Sequence, residues 1–240
     1  SQTVVNTWVL MLIIMFIVRA GTKKASVENP SKMQIVMEEY YHFIENTFLT
    51  TFGKHKKTYI PFFSALFAFI MFSNLSTFLF PYIMMVVSED GVKMVKPFFR
   101  TPTADPNTTI GLSLVVIILF LAVSIKQKGL RGYIKSLFEP MWFMFPLNIV
   151  DIFSKVLNTS MRLFGNMLAG LVIVGLLYSL VGRGLLQSLT HDMLKGSFSF
   201  SVGWPMIIQL YLDLFIGIVQ AFVFTILSSV YISEALGEEE

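Results

Sequence analysis

The sequence predicts an all-α, polytopic membrane protein with about five transmembrane helices, one interfacial amphipathic helix and two long tilted helices. Three observations predict it. Of 240 residues, 55% are apolar and only 14% are charged, where soluble domains carry about a quarter, and the mean hydropathy is +0.70. The apolar residues fall into runs long enough, at about 1.5 Å per residue, to cross a hydrocarbon core of about 30 Å. The short stretches between runs collect Lys and Arg, the pattern of cytoplasmic loops. A net charge of +3 with no basic block gives no reason to invoke nucleic acid. The absence of cysteine removes disulfides, thiolate metal sites and thiol nucleophiles. Residues 1–240 are read as a single membrane domain.

Residues 1–18 form the first span, stopped by Arg19, Lys23 and Lys24. A signal peptide is the competing reading. It fits less well, because no basic segment precedes the apolar run and the positive charge follows it. With Lys32, these charges put the next segment in the cytoplasm and the N-terminus outside. Residues 30–57 hold the interfacial helix and a basic loop. Asn29 is read as the N-cap, with Pro30 at the first helical position. Met33, Val36, Tyr40, Ile44 and Phe48 share one face, and Glu38, His42 and Glu45 the other, so the helix should lie on membrane lipid. His42 has no second ligand at a helical interval and is read as a solvated side chain.

Residues 58–125 hold the second and third spans. The second ends near Pro81, and Ser73, Asn74 and Ser76 inside it are read as helix-packing residues. The loop that follows carries Lys93, Lys96 and Arg100 on the side assigned as outer, against the charge rule. Asn107 or Thr108 is expected to cap the third span, a charge-free run to Ile125. Lys126, Lys128, Arg131 and Lys135 then mark a cytoplasmic loop. Residues 141–182 exceed a perpendicular span, which implies steep tilt, a break or two stacked helices, with Gly165 and Gly170 as bend points. Residues 203–233 form the last span, and the Glu238-Glu239-Glu240 tail ends in the cytoplasm.

Helical intervals align Asp151, Lys155, Asn158, Arg162 and Asn166 on an otherwise apolar helix. An arginine cannot escape the membrane by deprotonating, so protein, water or a partner's carboxylate must hold it, and by default it marks a site. Gln209, Asp213 and Gln220 form a second stripe on the last span. Three readings compete for Arg162 and Asp213: a buried salt bridge, a stand-alone secondary ion transporter, and an ion path shared with a partner subunit. A transporter normally shows inverted repeats, and no internal repeat is present. A membrane aspartyl protease needs two carboxylates sharing a proton. Only Asp151 with Asp213 qualifies, Asp151 lies near the start of its helix, and no Gly-x-Gly-Asp sequence occurs. His42, His55 and His191 fall in interfacial or loop positions, so no Ser-His or metal site is expected, nor any cofactor.

The run Met161-Arg162-Leu163-Phe164-Gly165-Asn166-Met167-Leu168-Ala169-Gly170 resembles subunit a of bacterial F-type ATP synthases, the membrane stator and ion-channel subunit. Pro102-Thr103-Ala104-Asp105 with Asn107-Thr108-Thr109, Phe145-Pro146-Leu147-Asn148-Ile149, Phe153-Ser154-Lys155 and Gln220-Ala221-Phe222-Val223-Phe224 extend the likeness over most of the chain. The resemblance implies a protein that is not catalytic itself. It gives two aqueous half-channels to the carboxylates of a rotating c-subunit ring and separates them with the essential Arg162. It further implies that Asn166 and Gln220 hydrate or orient the arginine, and that Asp213 serves the access half-channel. Asp105, Gln209, Asp151 and Lys155 are further candidates for that access path, although Asp105 reads equally well as a helix cap. The implied partners are the c ring, peripheral-stalk b subunits and membrane lipid, with H+ or Na+ as the transported ion, in a bacterial plasma membrane. One position departs from the family: Leu171 stands nine residues after the arginine, where many bacterial members carry glutamate.

Overall fold

In a computed structural model the described residues are 2–23, 26–27, 29–79, 84–89, 92–97, 102–139, 141–180 and 211–237. They form α1 (Gln2–Thr22), α2 (Lys32–Phe48), α3 (Lys56–Leu79), β1 (Met84–Glu89), β2 (Val92–Pro97), α4 (Pro106–Leu137), α5 (Phe145–Leu180) and α6 (Gly217–Leu236), with a π turn at Leu212–Ile216 leading into α6. Four helices are long and apolar enough to cross a membrane, at Thr3–Thr22, Thr50–Ser76, Pro106–Leu137 and Leu214–Leu236. To these α5 adds 36 residues, about 54 Å of helix. The architecture is an all-α membrane bundle.

Helices α3 and α4 each pack on α6, α5 lies against α4 and α6, and α2 crosses α1 and α3. The core where they meet is rich in phenylalanine. Phe48 stands 5.5 Å from Phe67 and 5.4 Å from Phe222 between ring centroids, distances at which tilted rings attract. This ties α2 to both α3 and α6. Tyr40 Oη donates to the Ser64 carbonyl at 2.6 Å, and Ser229 Oγ donates to the Phe48 carbonyl, so α2 is pinned at two levels. Ile44 and Phe48 of its apolar face are buried, but Met33 and Val36 are exposed among the described residues.

Several local expectations are corrected. The cap of α2 is Ser31, whose side chain accepts from the Gln34 amide; Asn29 and Pro30 lie before it. The Gln34 side chain in turn holds Ser26 and Glu38, which fixes the approach to the helix. The cap of α4 is Asp105, accepting from the Asn107 amide at 3.0 Å, rather than Asn107 or Thr108. Proline at position 106 decides this, since it lacks an N–H and suits the first helical position. The helix does not stop at Ile125 but runs to Leu137, with a kink at Gly129, whose φ of 71° and ψ of 160° suit glycine. No break occurs in α5 at Gly165 or Gly170, so the helix runs unbroken from Phe145 to Leu180. The connection between α3 and α4 holds an antiparallel ribbon pairing Met84 with Pro97 and Glu89 with Val92.

Candidate functional site

Arg162 stands at the midpoint of α5, a helix of 36 residues from Phe145 to Leu180. Thr159, Ser160 and Leu163 are buried against the bundle, while Leu157, Met161, Leu168, Val172 and Leu176 are exposed on the far side. Arg162 and Asn166, one turn apart, are half-buried at the border between these faces. Among the described residues no carboxylate forms an ion pair with Arg162. The guanidinium therefore borders an open apolar face with its charge uncompensated by any described side chain.

The second stripe lies only partly within the described residues. Gln220 is buried on the face of α6 that also holds Gly217, Ala221 and Phe224. Asp213 lies in the π turn, a feature common at functional sites; its side chain, and Leu171's, are outside the described set. The π turn interrupts the 3.6-residue period on which the alignment of Asp213 with Gln220 rests, and it packs against α3 and α5. Gln209, His191 and the loop from Arg183 to Lys195 fall outside the described residues.

Asp105 lies at the end of the bundle where α4 begins. One carboxylate oxygen accepts from the Asn107 amide and the other from Thr3 Oγ1, each at 3.0 Å, so the aspartate caps α4 and ties α1 to it. Beside it are buried polar side chains, among them Asn74, which the sequence predicts as a packing residue. Thr103 Oγ1 donates to Asn74 Oδ1 at 2.6 Å, and Asn74 Nδ2 donates to the Gly217 carbonyl at 2.8 Å. Ser160 Oγ and Thr109 Oγ1 are 3.4 Å apart. The first two bonds join α3 to the turn before α4 and to α6, and the last contact joins α5 to α4. In a low-dielectric interior such bonds specify one packing.

Toward the other end of the bundle, Lys155 Nζ lies 3.2 Å from Asp151 Oδ2 and 3.1 Å from Glu234 Oε2. Asp151 and Lys155 are thus together, but Glu234 was absent from the sequence reading, because a partner 79 positions away leaves no trace in helical spacing. Asp151 faces an ammonium, not a second carboxylate, so no shared-proton pair forms there.

A family model described as ATP synthase A chain matches residues 4–233. The chain belongs to this family. It is similar to the subunit a called sodium ion specific from Propionigenium modestum, 40% identical over 99% of this chain and 75% of that protein. It is also similar to ATP synthase subunit a of Moorella thermoacetica, 31% identical over 97% of this chain and 89% of that one, and of Desulforamulus reducens, 28% identical over 99% and 80%. As a member of the ATP synthase A chain family it is a multi-pass membrane subunit of the ATP synthase complex, working with other subunits and distinct from the catalytic part. That membership sets aside the stand-alone transporter and the membrane protease.

Proposed function

We propose that this chain is the ion-translocating stator of a rotary F-type ATP synthase. It offers two aqueous half-channels to the carboxylates of a c-subunit ring and keeps them apart with Arg162. The observation that carries the reading is the position of Arg162: midway along an unbroken helix, at the border of an exposed apolar face, with no carboxylate partner among the described residues. A ring of helices would cover that face and bring its own carboxylate to the guanidinium. An opposite charge within about 4 to 6 Å lowers a carboxylate pKa by roughly 1 to 3 units, about 1.4 to 4 kcal/mol in favour of the ionised form. Each ring carboxylate would release its ion on meeting Arg162 and reload after passing it. Asn166 and Gln220 would orient and hydrate the arginine, and Asp213 would serve the access path, with Gln209 as a further candidate along it; Asp151 and Lys155, paired with each other near the opposite end of α6, would not share that path. Asp105 would act chiefly as the cap already described.

In this reading residues 1–18, 58–125 (two spans), 141–182 and 203–233 cross the bilayer. Residues 30–57 lie at its cytoplasmic surface, the N-terminus is outside and the C-terminus in the cytoplasm of a bacterial cell. Peripheral-stalk b subunits and membrane lipid cover the remaining apolar faces. The ion is H+ or Na+, and the sodium specificity printed for the Propionigenium modestum relative makes sodium the first to test. ATP-driven ion uptake into inverted membrane vesicles, with and without added sodium, tests the reading. Arg162→Ala is expected to abolish uptake while the complex still assembles, and a sodium requirement would name the ion. Unchanged uptake in Arg162→Ala would make the arginine structural.

A further inference from the structure

The ammonium of Lys155 is enclosed by three helices. Its side chain is only 14% exposed, whereas those of Asp151 and Glu234 are 60% and 61% exposed. Besides its two carboxylates it lies 5.1 Å from the ring centroid of Phe120 on α4 and 5.3 Å from that of Tyr231 on α6, close enough for cation–π attraction. One cation thus holds an anion on its own helix and an anion on α6, with an aromatic ring from each neighbouring helix against it. Without the ammonium, two carboxylates would face each other across the seam between α5 and α6.

Lys155 precedes Arg162 by seven residues, two helical turns on the same side of α5, or about 10.5 Å along its axis. A helix held at that point against α6 is hindered from rolling about its axis and from sliding along it. The direction of the guanidinium is set by both freedoms. Below the arginine, the Asn148 side chain binds the Leu137 carbonyl at 2.7 Å, but that contact reaches α4 and leaves the α5–α6 seam unlatched.

We propose that Lys155 is a positioning residue: an ionic clasp that closes the α5–α6 seam and fixes the rotation of α5, and with it the aim of Arg162. The functional part rests on the stator reading above; the clasp itself does not. A distance measurement separates the two. The chain has no cysteine, so spin labels can be placed at Met141→Cys, in the turn leading into α5, and at Val230→Cys on α6, both exposed positions, in an assembled complex with no other reactive cysteine.

Lys155→Met is expected to lengthen and broaden the 141–230 distance distribution and to cause loss of coupled ion uptake. Lys155→Arg should keep both. The double exchange Lys155→Glu with Glu234→Lys again sets one ammonium against two carboxylates across the seam, and should restore the narrow distribution and the uptake. An unchanged distribution in Lys155→Met would overturn the clasp. If Lys155→Met fails to assemble, the double exchange decides: restored assembly and distance support the clasp, and continued failure overturns it. Arg162→Ala should leave the distance unchanged, so retained uptake in that variant would remove the stator reading while the clasp stood on its own result.

Discussion

Gly217→Ala is a small change with a calculable penalty. A Cβ added at Gly217 would meet the Cβ of Asn74 at 2.9 Å, and neither atom can rotate away, because each is fixed to its helix backbone. Helices α3 and α6 must then separate by up to about 1 Å to reach ordinary van der Waals contact, a strain of about 1 to 3 kcal/mol for overpacking. The same movement stretches the bond from Asn74 Nδ2 to the Gly217 carbonyl, now 2.8 Å, past useful hydrogen-bond length, for about 1 kcal/mol more. Together the cost is about 2 to 4 kcal/mol. Equilibrium unfolding of the purified chain in mixed micelles of increasing SDS fraction would measure it. Because the π turn that holds Asp213 ends at the residue before Gly217, uptake should fall in parallel. Asn74→Gly removes the opposing Cβ, so adding Gly217→Ala to that variant should cost little. An unfolding midpoint unchanged by Gly217→Ala alone, or an equal cost in both backgrounds, would refute the close-approach argument.

Asp105→Ala removes both the cap of α4 and the bond to Thr3, and is expected to cost about 1 to 2 kcal/mol, seen as faster amide exchange in the first turn of α4. Tyr40→Phe loses a buried hydrogen bond to Ser64, for about 1 kcal/mol. Burial raises the Tyr40 phenol well above the ordinary tyrosine value of 10.0. Its contribution to stability is therefore complete below pH 10 and lost as pH rises toward the raised folded value, since the unfolded chain ionises first. A pH series of the same unfolding measurement should show that alkaline loss in the unmodified chain and a smaller one in Tyr40→Phe. Asp213→Asn is expected to slow ATP-driven uptake without preventing assembly.

Burial in lipid leaves a coarse signal. A long apolar run with at most one charge marks a span whatever its neighbours are, and α1, α3, α4 and α6 are legible on that basis, as is the excess length of α5. The arginine was legible for the same reason: a permanent charge inside an apolar run is conspicuous in any membrane sequence. Helix starts were not, since several cap formers stand together at each. Asn107 and Thr108 compete with Asp105, and Asn29 with Ser31, and the choice depends on which side chain meets a free amide once the chain is folded. The ribbon at 84–97 had a signal that was overlooked: Asp90-Gly91 between two runs rich in Val and Met, the dipeptide favoured in two-residue hairpins. The Lys155–Glu234 bond and the Asn74–Gly217 approach join distant segments, and no pattern within one helix encodes them.

The uninterrupted length of α5 changes what depth means along this chain. A helix of 36 residues that crosses a hydrocarbon core of about 30 Å with its ends at the two interfaces gains only about 0.8 Å of depth per residue, roughly half the 1.5 Å of an upright helix. Lys155 and Arg162 would then differ in depth by about 6 Å, while most of their separation lies in the plane of the membrane. A side chain moved one turn along α5 changes its lateral address more than its distance from water. Such a helix behaves as a shallow ramp, and a charge at its midpoint can sit at the centre of the bilayer while its neighbours in sequence stay close to the same dielectric.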